Sequence, residues 1–398
     1  MATIAVVHNT LDLRGGADAV CLHACEALGR DHDVRLLTLS HPPLAELDAV
    51  FDTDAARAVR VETPSWSGPV ARAFAAAAPH VGPQLPLRSV LLDRWLRRRR
   101  GEFDLVVSTA NEFDVPGRSV QYVHYPQFRA RRGDPGEDVG RVASEADTDR
   151  SIADRIAGGR ELPNAVWSRA AGVGDGELPV GAHLLANSSY TARAVATRYG
   201  REPEVLHPPV DPITGGPDWD AREDGVVILG RLAPDKRALT ALEIVAGVRE
   251  RGHDLTAHVV GTAAPAYRTY ADRVAAAVAD HEWAHLHRDC SRERLEELLT
   301  TTKYGLSAKP NEHFGMAVAE YVAAGMVAFA PDSGGQRDVL DGDPDRLYTS
   351  ATDAVETVAA AVERGDRPTL PRDRFARERF HERLRDVVGT QLPPHARR

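Results

Sequence analysis

Two continuous apolar segments, each followed by a glycine-containing turn, constrain the fold of this chain most. Residues 2–7 precede the pair Gly15 and Gly16, where a helical pattern of apolar residues begins, and residues 225–230 lead into a second turn. Strands that are apolar throughout suit a parallel sheet covered on both faces. Glycines in the turn let backbone N–H groups approach a ligand at the helix N-terminus. The pattern predicts an α/β fold built from two Rossmann-like units.

Length and composition agree with two soluble domains. A chain of 398 residues exceeds one ordinary core, and 43% hydrophobic with 27% charged residues is typical of a globular protein. A net charge of −9 argues against general nucleic-acid binding. Cys21, Cys25 and Cys290 provide neither a disulfide framework nor a metal set. No metal and no cofactor are expected. Residues 1–7 lack the basic region of a secretory signal, which predicts a cytoplasmic protein.

Two glutamates flank a predicted helix start near Gly315. Glu312 lies in a polar corner and Glu320 lies eight positions later. At about 1.5 Å rise per residue the helical part of this gap spans roughly 6–10 Å, the reach of a nucleoside sugar. The N-terminus of the helix would offer N–H groups to an anionic or hydroxyl-rich ligand. Two glutamates at this spacing also occur by chance in an acidic protein, so the spacing alone identifies no site.

The residues around these glutamates follow a recognisable order. They are Asn311, Glu312, His313, Phe314 and Gly315, then Ala319 and Glu320, then Ala324 and Gly325, and finally Ser333, Gly334 and Gly335. This order resembles the donor-site signature of family 4 retaining glycosyltransferases, which has two glutamates separated by seven residues, Phe-Gly between them and a glycine-rich loop after. The resemblance implies the GT-B architecture, in which two Rossmann-like β/α/β domains face each other across a cleft.

The resemblance also implies which residues bind the donor, a nucleotide-diphosphate sugar whose hexose is transferred with retention. Glu320 would bind the ribose hydroxyls, because a carboxylate accepts hydrogen bonds. Glu312 and the N–H groups of Phe314, Gly315 and Met316 would hold the sugar. In this class the leaving phosphate is thought to deprotonate the acceptor, so Glu312 is not expected to be a nucleophile.

Two cations after the apolar segment 225–230 would hold the diphosphate. Arg231 can bind it bidentately and Lys236 as a point charge, so that charge-assisted hydrogen bonds replace a metal ion. The alternative is that both are ordinary surface charges. Gly261 resembles the glycine that lets the nucleotide approach the backbone.

A histidine is expected in the amino-terminal half of the site. An extended segment, 119–123, ends just before His124, and Pro126 biases Tyr125 away from helix. Ligands bind at the carboxyl ends of strands in open α/β sheets. The segment resembles the α-1,2-mannosyltransferases that extend dolichol-linked oligosaccharides, which implies that His124 touches the donor sugar near the reacting carbon and that Gly16 faces the cleft. A lone histidine is more often structural, and that alternative stays open.

One departure from this branch concerns the residues before the first glutamate. The dolichol-pathway enzymes typically carry His and Trp there, whereas this chain has Ala308 and Pro310. The departure puts mannose in doubt as the donor sugar and leaves a glucose-type donor open.

The predicted domain boundaries follow glycine, proline and the resemblance. Residues 1–210 form an acceptor-side domain, 208–217 a linker and 218–373 the donor domain, while a final helix within 374–398 packs back on the first domain. Residues 130–159, rich in glycine and in charges of both signs, predict a mobile insertion over the acceptor side.

An arginine-rich helix end bears on the acceptor. Residues 87–100 predict a helix that ends in Arg94, Arg97, Arg98, Arg99 and Arg100. These arginines either complement the helix macrodipole in solvent or attract anionic headgroups at the inner face of a membrane, as a lipid-linked glycan acceptor would require.

Two alternatives to a glycan-extending enzyme are considered. One is a transferase acting on a small soluble acceptor. The other is a non-catalytic nucleotide-sugar-binding subunit, which the presence of all the main expected site residues disfavours.

Overall fold

The computed structural model describes residues 1–73, 85–112, 114–115, 117–127, 178–263 and 267–396. The predicted insertion 130–159 lies outside the described residues. The chain divides into two compact units, one formed by Met1–Pro209 with Arg377–Arg398 and the other by Val210–Ala376.

The first unit contains a parallel sheet whose strand order is β3-β2-β1-β4-β5-β6-β7. Its strands are β1 (Thr3–Val7), β2 (Asp33–Leu37), β3 (Val59–Glu62), β4 (Leu105–Ser108), β5 (Ser119–Val123), β6 (Ala182–Ala186) and β7 (Glu204–Val205). The described helices that accompany them are α1 (Gly16–Gly29), α2 (Leu44–Phe51), α3 (Ala55–Ala58), α4 (Leu85–Arg97) and α5 (Ser189–Tyr199). The order reverses between β1 and β4, which is where open α/β sheets bind ligands.

The second unit repeats this topology with six parallel strands in the order β10-β9-β8-β11-β12-β13. They are β8 (Glu223–Leu229), β9 (Thr256–Gly261), β10 (Ala284–Arg288), β11 (Thr302–Leu306), β12 (Val327–Pro331) and β13 (Leu347–Tyr348). The helices are α6 (Ala238–Glu250), α7 (Arg268–Ala279), α8 (Arg292–Thr301), α9 (Met316–Ala323), α10 (Gln336–Val339) and α11 (Ala351–Arg364). Here the order reverses between β8 and β11.

The chain returns to the first unit as α12 (Arg377–Gln391), which packs on α1. Phe380, Leu384 and Val388 recur every four residues and therefore share one face of α12. All three are buried in the same core as α1 and β1. The final helix expected within 374–398 is therefore present.

The predicted linker 208–217 is mostly part of the second unit. The Val210 N–H donates to the carbonyl of Phe375 at 2.7 Å, and the Ile213 N–H donates to that of Ala323 at 3.0 Å. The side chains of Val210 and Ile213 are buried. Val210 and Phe375, which pair with each other, lie next to the two points where the chain passes between the units. The second unit therefore spans Val210–Ala376, whereas the sequence predicted a donor domain of 218–373.

The arginine cluster after α4 is largely engaged within the first unit. Arg97 pairs with Asp93 and Asp114 at 2.8 and 2.7 Å. Arg99 pairs with Glu62 at 2.5 Å and with Glu102 at 2.6 Å, and Arg100 donates to the carbonyls of Phe103 and Arg118 at 2.6 and 3.1 Å. Arg97 and Arg99 thus pair with carboxylates, whereas Arg100 contacts neutral carbonyl groups, and the membrane contact stays a prediction. Among the described residues, no helix is both long and apolar enough to cross a bilayer.

Candidate active site

The expected donor-binding residues of the second unit cluster where its strand order reverses. β8 and β11 pair in parallel there. After β8 the chain passes Arg231 and a single 3₁₀ turn, Pro234–Lys236. After β11 it forms the corner that carries Glu312 and then enters α9. We call residues 230–236 and 307–316 the donor corner.

Five charged side chains form one network in the donor corner. Lys236 Nζ contacts Glu312 Oε1, and Lys309 Nζ lies 3.5 Å from Glu312 Oε2. Lys309 Nζ also lies 3.1 Å from Asp235 Oδ2, and Arg231 Nη2 lies 3.6 Å from the same oxygen. The network thus contains three cations and two carboxylates, and it joins three of the predicted site residues.

Glu312 is ionised at neutral pH although only 17% of its side chain is exposed. Burial disfavours the charged form, but the charges of Lys236 and Lys309 outweigh burial and hold the pKa of Glu312 below its usual value. An ionised carboxylate only accepts hydrogen bonds. Glu312 can therefore accept bonds from sugar hydroxyls and is a weak base.

The glycine-rich loop after β12 holds the backbone of the donor corner. Asn311 has a left-handed φ of 55°, and its N–H donates to Ser333 Oγ at 3.0 Å. The Gly335 N–H donates to the carbonyl of Glu312 at 2.7 Å. Gly334 has a φ of 74°, and a Cβ there would lie 2.6 Å from the Glu312 nitrogen. Only glycine fits at 334, and its first role is to support Glu312.

α9 begins as predicted, with Gly315 as its N-cap at a φ of 107°. The first N–H groups of a helix have no intrahelical partner, so those of Met316 and the residues after it are oriented for a ligand. The Phe314 ring is only 3% exposed and packs edge-on against Phe375 at 5.3 Å. Phe314 can therefore contact a ligand only through its main chain.

Glu320 belongs to a different set of contacts. Its Oε1 accepts from Arg292 Nη1 at 2.8 Å, and Arg292 Nε donates to Glu296 at 2.7 Å. The two glutamates of the signature thus contact different cations on different elements. The sequence did not single out Arg292.

Gly261 has a structural requirement of its own. A Cβ at Gly261 would overlap the carbonyl oxygen of Gly230. The Gly230 N–H also donates to the carbonyl of Val260 at 3.0 Å. A side chain at position 261 would collide with the loop that follows β8. Glycine is therefore required at the end of β9 whether or not a nucleotide binds there.

A buried tyrosine, which the sequence did not single out, fixes the two strand ends. Tyr321 Oη accepts from the Leu229 N–H at 2.7 Å and donates to the Leu306 carbonyl at 3.3 Å. Its side chain is fully buried. Tyr321 thereby joins the end of β8 to the end of β11, from which the donor corner extends.

His124 lies directly after β5, at the carboxyl end of the first sheet, as predicted. Burial lowers its pKa to about 4, so the ring is neutral at neutral pH. Its Nε2 lies 3.1 Å from the carbonyl of Thr109 and must carry the proton, because a carbonyl only accepts. In this tautomer Nδ1 is an acceptor and can receive a hydrogen bond from a hydroxyl group.

The glycine turn of the first unit is connected to His124 through His8, a residue that the sequence did not single out. His8 Nδ1 lies 3.1 Å from the Thr109 carbonyl that His124 also contacts. His8 Nε2 lies 3.0 Å from Asp18 Oδ1, and Asp18 Oδ2 accepts from the Gly15 N–H at 3.1 Å. Gly16, the next residue, is the first of α1.

The surroundings of His8 favour its protonated form. Burial opposes its charge, but Cys21 and Asp18 raise its pKa to about 10. Two histidines whose pKa values are shifted in opposite directions therefore flank Thr109. His8 and His124 share one feature that is visible in the sequence: each directly follows a buried strand.

The rarity of lysine in the sequence could have pointed to Lys309. Lys236, Lys303 and Lys309 are the three lysines among 49 basic residues. Two of them contact Glu312. In a chain whose other basic residues are arginines, two of the three lysines lie in the donor corner.

Comparison with known proteins finds a family similarity that lies within the second unit. Residues 216–365 match the family model described as "Glycosyl transferases group 1". Proteins from Candida glabrata and Eremothecium gossypii, both named "GDP-Man:Man(3)GlcNAc(2)-PP-Dol alpha-1,2-mannosyltransferase", are 23% identical over 166 residues and 27% identical over 165 residues. Each alignment covers 38% of this chain but only 33% and 28% of the relative, so the chain matches a third or less of their length.

Solved structures agree in fold. Anabaena HepE, crystallised with UDP and glucose, has a TM-score of 0.65 at 14% identity, covering 98% of this chain and 100% of that one. WaaG, a glycosyltransferase involved in lipopolysaccharide biosynthesis, has a TM-score of 0.58 at 16% identity over 98% and 95% of the two chains. At such identities the likeness shows the fold, which is GT-B.

Proposed function

We propose that this chain, a group 1 glycosyltransferase by its second unit, moves a hexose from a nucleotide-diphosphate sugar to an acceptor hydroxyl group. The observation that carries the proposal is the convergence of Lys236 and Lys309 on Glu312 where the strand order reverses. The match of residues 216–365, which include this corner, to the family model of group 1 glycosyl transferases supports the proposal.

The cations of the donor corner would stabilise the departing diphosphate. Charge that develops on the leaving phosphate is best stabilised by donors that are already in place. Arg231 is 54% exposed and its planar guanidinium suits bidentate phosphate binding. Lys236 would exchange part of its contact with Glu312 for a phosphate oxygen.

Glu312 would position the sugar without attacking it. Its lowered pKa makes the carboxylate a poor base, and its two oxygens are suited to accept from hydroxyl groups. His124 would accept from a further sugar hydroxyl through Nδ1. Catalysis then rests on positioning and charge stabilisation, with the leaving phosphate taking the acceptor proton on the same face of the sugar.

Glu320 would bind the ribose hydroxyls of the nucleoside. Its side chain is 18% exposed and shares Arg292 with Glu296. Because Glu296 also pairs with Arg292, Glu320 can turn one oxygen to a ribose without leaving the arginine unpaired.

We favour GDP-mannose as the donor, supported by the names of the curated relatives. A UDP-hexose is the second candidate, because Ala308 and Pro310 depart from the dolichol-pathway pattern. The acceptor class that those relatives suggest is a lipid-linked glycan. Transfer to a glycan acceptor in detergent, compared with vesicles, separates this class from a small soluble acceptor.

The first test is a thermal-shift panel with GDP, GDP-mannose, UDP and UDP-glucose. A donor present at a hundred times its Kd stabilises the protein by about 2.7 kcal/mol, or roughly 5–10 °C in Tm. Lys236→Met should abolish the shift. Lys303→Met is the matched control, because Lys303 pairs with Asp224 at 2.7 Å outside the donor corner. Absence of any shift in the wild type, or equal losses in the two variants, would refute the proposed site.

The second test separates an enzyme from a binding subunit. Incubation with the donor that binds and a glycan acceptor should release nucleoside diphosphate, and proton NMR of the product should show a retained anomeric configuration. Binding without release of nucleoside diphosphate would indicate a non-catalytic subunit.

A further inference from the structure

Three side chains that can bind a metal meet inside the first unit, apart from every residue used above. His23 and Glu26 are three positions apart on α1 and therefore share one face of that helix. His381 comes from α12, 358 residues further along the chain. One ligand atom from each of the three lies within 4.8 Å of the others.

Burial makes this cluster unusual. His23, Glu26 and His381 are 4%, 9% and 2% exposed. Polar groups buried to this extent are normally hydrogen-bonded. Glu26 Oε1 accepts from Arg30 at 2.9 Å, whereas Oε2 is buried and has no hydrogen-bond partner in the described structure. A buried carboxylate oxygen is thus available beside two imidazoles.

The spacing of the two histidine nitrogens already suits a shared ion. His23 Nδ1 lies 3.2 Å from His381 Nε2. Two nitrogens at about 2.0–2.1 Å from a tetrahedral zinc ion would lie about 3.3 Å apart. An ion could therefore enter without a change of backbone, once the ring proton between the two nitrogens moves to the opposite nitrogen of its ring.

The surroundings favour the ligand forms of these groups. Neutral imidazole is the form of histidine that binds metal, and the short contact between the two rings requires at least one unprotonated nitrogen. The Arg30 guanidinium fixes the Glu26 carboxylate through Oε1 and leaves Oε2 for an ion. A hydrogen bond to a ligating carboxylate is a usual outer contact of metal sites.

We propose that His23, Glu26 and His381 bind one divalent first-row transition metal ion, Zn²⁺ before others, with water as the fourth ligand. Two imidazoles and a carboxylate suit zinc and do not suit Mg²⁺, which prefers oxygen ligands alone. Because the ligands come from α1 and α12, the ion holds the returning end of the chain against the first helix. Its role is structural, and glycosyl transfer does not pass through it.

A second cluster of the same residue types serves as the control. In the second unit His258 Nδ1 lies 3.1 Å from His287 Nε2, and His258 Nε2 lies 2.9 Å from Glu223 Oε2. The histidine and the carboxylate meet opposite nitrogens of His258, so the three cannot share one ion. Glu223→Gln therefore removes the same carboxylate charge without touching the proposed site.

The experiment uses the untagged full chain after removal of metals by a chelator. Calorimetric titration with ZnCl₂ should show one equivalent bound, and Co²⁺ should give the visible absorption of a tetrahedral site. Glu26→Gln, which preserves size and an acceptor for Arg30, should weaken zinc binding by more than the roughly ten- to hundredfold that loss of an outer contact costs. Glu223→Gln should bind zinc like the wild type, and zinc should raise the Tm of both Glu223→Gln and wild-type protein.

Two results would overturn the proposal. One is the absence of stoichiometric zinc binding to the wild type. The other is an equal zinc affinity in wild type and Glu26→Gln. If circular dichroism shows that Glu26→Gln is unfolded, His23→Asn replaces it under the same criterion. Failure of the proposed glycosyl transfer would leave this result unaffected, since the site lies outside the donor corner.

Discussion

Substitution of Gly334 tests whether the glycine-rich loop supports the donor corner. Gly334 has a left-handed φ of 74°, and a Cβ there would meet the backbone of Glu312, 2.6 Å from its nitrogen. Gly342 offers a matched control in the same unit. Its φ is 67°, and a Cβ there would meet nothing within 4 Å.

The difference between the two glycines sets the expected magnitude. An alanine in the left-handed region costs roughly 1–2 kcal/mol, which both Gly334→Ala and Gly342→Ala incur. Forcing a methyl group into a packed site adds roughly 1–3 kcal/mol, which Gly334→Ala alone incurs. We therefore expect Gly334→Ala to lose at least about 1 kcal/mol more than Gly342→Ala, or roughly 2–4 °C more in Tm for a unit of this size.

Calorimetric melting of both variants measures this difference, and nucleotide binding adds a second readout. Gly334→Ala should also weaken donor binding, because the clash displaces the Glu312 backbone, whereas Gly342→Ala should bind normally. Equal losses of Tm in the two variants would show that the contact between Gly334 and Glu312 is not tight. A stable Gly334→Ala protein with normal donor affinity would refute the supporting role of the loop.

Two further predictions concern the same corner. Tyr321→Phe leaves the half-buried Leu229 N–H without its 2.7 Å acceptor, so unfolding in urea should show a loss of roughly 1 kcal/mol, and a change within error would contradict the bridging role of Tyr321. The pKa of Glu312 is lowered in the folded protein, so its ion pairs contribute stability above the ordinary value of 4.5 and lose it as the pH falls through the folded value. The free energy of unfolding should then fall less steeply below that pH in Glu312→Gln than in the wild type, and parallel curves would show that the pairs do not stabilise the fold.

The elements of the second unit were predictable because their local signals agree. The strands expected at 256–261 and 284–288 are present as Thr256–Gly261 and Ala284–Arg288. Short segments with strand-like patterns, bounded by glycine or charged residues and alternating with helical patterns, leave few other folds open. In the first unit, the N-cap expected at 188 or 189 is likewise present as Ser188, whose Oγ accepts from the Thr191 N–H at 3.1 Å.

The contacts within the site were not predictable in the same way. Lys236 and Glu312 are 76 residues apart, and His8 and Thr109 are 101 apart. Such pairs depend on strand order, which local periodicity does not specify. The pairing of Arg99 with Glu62 was not predictable for the same reason, because Glu62 comes from β3, an edge strand that the sequence did not predict.

Lys309 explains how the donor corner can accept a diphosphate without leaving a buried charge unpaired. The three cations and two carboxylates of the donor corner carry a net charge of +1, and a diphosphate ester carries two negative charges. The phosphate would then compete with Glu312 for Lys236. If Lys236 moved to the phosphate and no other cation were near, the Glu312 carboxylate, which is only 17% exposed, would lose its ion pair. Lys309, already 3.5 Å from the second Glu312 oxygen, can remain the partner of that carboxylate. If Lys236 were the single cation of the donor corner, its ammonium group could not stabilise both the Glu312 carboxylate and the phosphate of the donor.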